Sequence, residues 1–150
     1  MGESILLVDD EEAVLEAFQA LLERKNYQVR CAGNLTAAEA ACREAHFDAA
    51  VVDLTLPAGE EEGLAVVSFL AGLTPRPVIV AWSGMVSESV RHSLALAGAD
   101  DFLAKPVSFA VLHERIHELL SMRPQAGTIR SVAEALPSLP PTQKSQNTLR

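Results

Sequence analysis

The sequence predicts an α/β domain in which a five-stranded parallel sheet is covered by helices on both faces. Three observations predict it. Apolar runs of strand length recur five times with helical patterns between them, the alternation of a parallel sheet. The first run, Ile5-Leu6-Leu7-Val8, is continuous rather than alternating, as a strand buried on both sides requires. Polar residues break the apolar pattern at one recurring place, the C-terminal end of a strand, where open parallel sheets gather their sites.

The first strand spans residues 4–10 and ends abruptly in acid. The helix after it carries Val14, Phe18, Leu21 and Leu22 on one stripe and finishes near Asn26, with Glu11 and Glu12 where the N-terminal dipole favours negative charge. Residues 28–32 form a weaker second strand. Thr36-Ala37-Ala38-Glu39 has the form of a capping box opening an Ala-rich second helix to about Ala45.

The third strand covers residues 47–53 and contains Ala49-Ala50-Val51-Val52. Residues 57–63 combine a proline, two glycines and the run Glu60-Glu61-Glu62, so they read as a solvated loop. A third helix follows over 64–72, a fourth strand over 77–82, and a fourth helix over 86–97 that Gly98 ends. Residues 100–105 are a short fifth strand. The last helix, 108–122, is buried through Phe109, Leu112, Ile116, Leu119 and Leu120.

These elements place one domain at 1–122. Residues 123–150 hold no aromatics and half of the eight prolines, and read as a flexible tail or linker. The net charge of -8 divides into +3 on that tail and -11 on the domain. So acidic a domain repels a phosphate backbone, which argues against direct nucleic-acid binding. No apolar run reaches membrane-spanning length and no secretory signal opens the chain, so a cytoplasmic location with no membrane contact is expected. Cys31 and Cys42 lack ligand spacing and are given no role.

The strand ends deliver Asp9 and Asp10, then Asp53, then Ser83, then Lys105 toward one crevice. Close carboxylates repel one another unless a cation compensates, and an all-oxygen set suits a hard ion such as Mg²⁺. With the metal present, one carboxylate can act as nucleophile toward a phosphoryl group while a lysine neutralises its oxygens. Each acid alone reads as a cap or solvated turn residue. Together with Ser83 and Lys105-Pro106 they read as a site. His113-Glu114-Arg115-Ile116-His117 matches the zinc pattern HExxH. It is read as accidental, because the buried stripe runs through Leu112 and Ile116 and no third ligand follows.

Over residues 4 to about 122 the chain resembles the response regulator receiver domains of two-component signalling. The resemblance rests on Asp9-Asp10 after the first strand, Asp53 after the third, Ser83 after the fourth, and Phe102-Leu103-Ala104-Lys105-Pro106 after the fifth. It implies a flavodoxin-like, doubly wound sheet of order 2-1-3-4-5 with five helices.

The resemblance also implies roles. Asp53 is the phosphoacceptor, Asp10 a direct Mg²⁺ ligand, Asp9 its outer-sphere helper, and the Thr55 carbonyl completes the protein ligands. Lys105 pairs with the phosphoryl oxygens. Ser83 moves to hydrogen-bond the phosphoryl group, Phe102 turns inward as the aromatic switch, and the Lys105-Pro106 bond is cis. The donor is a sensor histidine kinase or phosphotransfer protein. The surface of the fourth helix, fifth strand and fifth helix changes to control a partner, a homodimer or an output domain missing here. Such a protein is not an enzyme on other substrates; it promotes its own phosphoryl transfer and dephosphorylation with Mg²⁺.

The chain departs from the family pattern in three places. The family's loop glycine stands eight residues after the phosphoacceptor, whereas Gly63 is ten after Asp53. Phe102 occupies the place of the commoner Tyr, and Trp82 is bulky for its place before Ser83, with its direction left open. Two other classes compete with this one. A pseudo-receiver would keep the fold as a phosphorylation-independent interaction module, and a flavodoxin-like or dinucleotide-binding protein would need a phosphate cradle where this chain has Asp9-Asp10-Glu11-Glu12.

Overall fold

The computed structural model describes residues 2–54, 60–84 and 87–123. Five strands form one sheet: β1 (Ser4–Val8), β2 (Gln28–Ala32), β3 (Ala49–Asp53), β4 (Val78–Ser83) and β5 (Asp101–Ala104), in the order β2-β1-β3-β4-β5. Every neighbouring pair is parallel. The helices α1 (Glu12–Arg24), α2 (Leu35–Glu44), α3 (Glu60–Ala71), α4 (Glu88–Ala97) and α5 (Phe109–Met122) lie between and after the strands. This is the flavodoxin-like, doubly wound topology that the family resemblance implies.

The pleat sorts alternate residues to two cores. Ile5, Leu7, Ala49, Val51, Val78, Val80 and Trp82 pack with Leu22 of α1 and with Leu112 and Ile116 of α5. Leu6, Val8, Ala50, Val52, Ile79 and Ala81 pack with Ala38 and Ala41 of α2, with Val66, Val67 and Leu70 of α3, and with Leu94 of α4. All five residues of β3 are buried, which explains its unbroken Ala and Val run. Burying each Leu or Ile side chain contributes about 1.5–3 kcal/mol. The outer strand β2 alternates exposed and half-buried residues up to the buried Ala32, hence its weak signal in the sequence.

Helix α3 begins four residues before the expected 64, with its first turn drawn from the expected loop. Glutamate propagates helices well and is favoured by the dipole at a helix N-terminus. Gly63 therefore sits inside the helix, where a Cβ would lie 2.9 Å from the Leu54 Cα. It is there for close packing, not for a turn. Within the acidic run Glu62 is held rather than merely solvated, since its Oε2 accepts the Leu35 N–H at 2.9 Å across to the start of α2.

The capping box at Thr36 does not form. Asn34 is the cap of α2, its Oδ1 accepting the Ala37 N–H at 2.8 Å, because helix α2 starts at Leu35 and leaves Thr36 within its first turn. Ser87 caps α4 in the same manner through the Val90 N–H; the expected start at Val86 lies outside the described residues. Gly98 ends α4 in the left-handed conformation at φ 113°. The chain divides into units 1–120 and 121–150, and the expected tail beyond Arg123 lies outside the described residues.

Candidate functional site

The strand order reverses direction between β1 and β3, and the crevice at their C-terminal ends is where doubly wound sheets place ligands. Asp9 follows β1 with its N–H donated to the Ala32 carbonyl at 3.0 Å, which holds it against the sheet. Its Oδ1 accepts the Glu11 N–H at 2.9 Å, so the same carboxylate shapes the entry to α1. Asp53 is the last residue of β3. Both are 1% exposed, while Asp10 is exposed.

Oxygens of Asp9, Asp10 and Asp53 lie within 4.8 Å of one another. At that separation two carboxylates repel by roughly 3 kcal/mol for an effective dielectric constant near 20. Lys105 answers part of this charge: its Nζ lies 3.4 Å from Asp9 Oδ2 and 3.4 Å from Asp53 Oδ2. The Lys105 N–H donates to the Ser83 carbonyl at 2.8 Å, carrying the β4-β5 ladder one step beyond the strand. The Lys105-Pro106 bond is cis.

Three carboxylates and one ammonium leave the crevice with net negative charge. Burial raises the Asp9 pKa above the ordinary carboxylate value, and the charge of Asp53 raises it further, against the opposing Glu11 N–H and Lys105. An oxygen-only donor set with an unbalanced negative charge fits a hard divalent cation. Among the described residues this is the one acidic, histidine or cysteine cluster spaced to hold a metal. His113 and His117 are not in it. Their rings lie 6.3 Å apart, and His113 packs against Phe109 and Tyr27 instead.

Ser83 ends β4 in a buried position, and its carbonyl ties it to Lys105. Phe102 is half-buried on β5 opposite Ala81, on the α4 side of the sheet, with the Arg91 guanidinium 5.4 Å over its ring. Thr55 lies outside the described residues.

Trp82 is the residue whose part in the site the sequence left open. It pairs in register with Asp53 and therefore shares its face of the sheet. The ring is 3% exposed and packs on Phe18 at 5.1 Å between centroids. It faces core and site together, since Lys105 Nζ lies 4.9 Å from its centroid. Its indole N–H finds no acceptor among the described residues. A cavity of about 340 Å³ opens beside it, lined by Val14, Phe18, Lys105 and Pro106 among others. The signal available in the sequence was the size of Trp82 directly before Ser83; its direction depended on the pairing of β3 with β4.

The sheet order and this acidic crevice define a receiver-type protein, and the comparisons agree. Residues 5–117 match the model of the response regulator receiver domain. The chain belongs to that family, the receivers of two-component signalling.

It is 41% identical over 106 residues to the alginate biosynthesis transcriptional regulatory protein AlgB of Pseudomonas aeruginosa. That match covers 69% of this chain and 23% of the regulator. A CheY-like response regulator receiver domain protein from Methanospirillum hungatei superposes with a TM-score of 0.75 at 30% identity, covering 81% of this chain and 95% of that one. A response regulator from Burkholderia pseudomallei, solved with a phosphorylated aspartic acid, a calcium ion and citrate, superposes with a TM-score of 0.71 at 27% identity. It covers 92% of this chain and 75% of that one. Among the described residues no helix is long and apolar enough to cross a membrane.

Proposed function

We propose that Asp53 accepts a phosphoryl group from a sensor histidine kinase or phosphotransfer protein and that the change is passed to a partner or output domain. The observation that carries this reading is the placement of Asp53 within 4.8 Å of Asp9 and Asp10 oxygens, with the Lys105 ammonium 3.4 Å from it. An oxygen of Asp53 attacks phosphorus, the donor's phosphorus–nitrogen bond breaks, and the imidazole leaves with its electron pair and takes up a proton. Lys105 shifts from the carboxylates to a phosphoryl oxygen and balances its charge. Asp9, Asp10, Asp53 and the Thr55 carbonyl would hold Mg²⁺, which supplies further neutralisation of the transferring group when bound.

The Burkholderia protein's phosphorylated aspartic acid supports the same assignment. Ser83 and Phe102 act as the switch pair, and the face of α4, β5 and α5 transmits it. Val111 on α5 is a large apolar side chain left exposed, which suits a homodimer or a protein target. Residues 1–122 act as the receiver, in the cytoplasm, and 123–150 as a connecting or docking segment. The domain itself does not bind nucleic acid.

The test is incubation with acetyl phosphate or beryllofluoride, with and without Mg²⁺, read by intact mass and Trp82 fluorescence. A Mg²⁺-dependent change that Asp53→Asn abolishes is expected. The 1% exposure of Asp53 favours one second reading, a pseudo-receiver acting as a phosphorylation-independent interaction module. No metal-dependent change, or one that survives Asp53→Asn, would put that reading ahead.

A further inference from the structure

We propose that Trp82 is a positioning residue for Lys105, holding the ammonium over its indole face where it can reach the group on Asp53; the inference rests on Asp53 being the phosphoacceptor. Trp82 is the register partner of Asp53 on one side and of Leu103 on the other. Leu103 stands two residues before Lys105, so Trp82, Asp53 and Lys105 come to the same face at the same strand ends.

Lysine carries its charge on a flexible four-carbon stem, and this side chain keeps 23% of its surface in solvent. Two carboxylates at 3.4 Å draw the ammonium inward, but both are wanted elsewhere once a cation and a phosphoryl group arrive. The ring, 4.9 Å away, is the neighbour whose attraction for the ammonium survives that exchange. The attraction extends to about 6 Å from the ring centroid, so an ammonium now at 4.9 Å has about an ångström in which to move from Asp53 Oδ2 toward a phosphoryl oxygen without leaving the face.

The ring itself is fixed. It is 3% exposed and packed on Phe18. A buried tryptophan is ordinarily accompanied by a hydrogen bond from its N–H, yet among the described residues this N–H has no acceptor. A leucine or phenylalanine would occupy the same core without an orphaned donor. The property of Trp82 that they lack, or have more weakly, is the negative ring face presented to Lys105.

The test is a double-mutant cycle on the 150-residue chain, with acetyl phosphate and Mg²⁺, reading the initial phosphorylation rate by intact mass. Trp82→Leu is expected to slow the reaction about three- to tenfold and Trp82→Phe by less, following the ranking of ring faces. In a Lys105→Met background Trp82→Leu is expected to add nothing. The same slowing in that background, or none in the parent, would overturn the proposal and reduce Trp82 to a packing residue.

A readout independent of phosphorylation is the ring-current shift of the Lys105 ε-methylene protons by NMR. These are expected upfield in the parent chain and at ordinary positions in Trp82→Leu. Ordinary positions in the parent would overturn the proposal while leaving the phosphoacceptor reading standing. A shifted parent that accepts no phosphoryl group would overturn the phosphoacceptor reading, and the proposed role with it.

Discussion

Gly63 in the first turn of α3 presses on Leu54, the residue after Asp53, so closely that a Cβ would stand 2.9 Å from the Leu54 Cα and 3.2 Å from the Asp53 carbonyl oxygen. Because those atoms are backbone, the clash cannot be relieved by a rotamer change. Gly63→Ala should therefore destabilise the domain by about 1–3 kcal/mol, even though alanine gains up to about 1 kcal/mol of helix propensity over glycine. Urea denaturation measures the balance; a midpoint at or above that of the parent would show that α3 has room to retreat.

The start of α2 is capped from two directions. Asn34 accepts the Ala37 N–H from within the chain segment, and Glu62 accepts the Leu35 N–H from α3. Asn34→Ala should cost about 1 kcal/mol. Glu62→Ala should add a loss of about 1 kcal/mol because the Leu35 N–H then lacks its charged acceptor. Thermal unfolding of the two single variants and the double variant checks both values, and the double is expected to fall lowest.

Asp9 supplies a pH prediction. Burial raises its folded pKa above the unfolded value near 3.8, so the folded state holds this proton more tightly than the unfolded chain. The stability that follows is fully present below the unfolded pKa and is lost as pH rises through the raised folded pKa. Without metal, Asp9→Asn should be more stable than the parent at neutral pH, with the difference shrinking near pH 4, about the ordinary carboxylate pKa. Added Mg²⁺ should stabilise the parent far more than the variant. Urea midpoints at the two pH values, in EDTA and in Mg²⁺, give the four numbers needed.

Lys105 serves both folding and chemistry. Replacing it with Met removes the ammonium 3.4 Å from Asp9 and Asp53, so the metal-free protein should lose stability while the shift on adding Mg²⁺ grows. Transfer from acetyl phosphate should slow by about 10²-fold, the loss expected for one preorganised charge-stabilising group. A variant phosphorylated at the parental rate would exclude Lys105 from the reaction.

Much of this architecture was legible because buried parallel strands leave continuous apolar runs, and because acids at their ends have no packing reason to be there. Asp9, Asp10, Asp53 and Lys105 were found that way, and the structure brings them together. The first turn of α3 was misread because Gly63 beside an acidic run has the composition of a loop; only its approach to Leu54 reveals a helix packed too tightly for a side chain. Thr36 was misread for a related reason, since Asn34 and Thr36 are both good caps and the choice between them follows from where α2 starts, at Leu35.

The sequence by itself determined the strand and helix alternation, the acidic domain and the residues at the strand ends, since periodicity and charge are properties of the chain. The tertiary structure alone decided which residues meet across elements. Trp82 reaches Lys105, and Glu62 reaches Leu35, because sheet register and helix docking bring together groups that are 23 and 27 positions apart. Such separations leave no local pattern to read, as they are set by the cooperative packing of both cores.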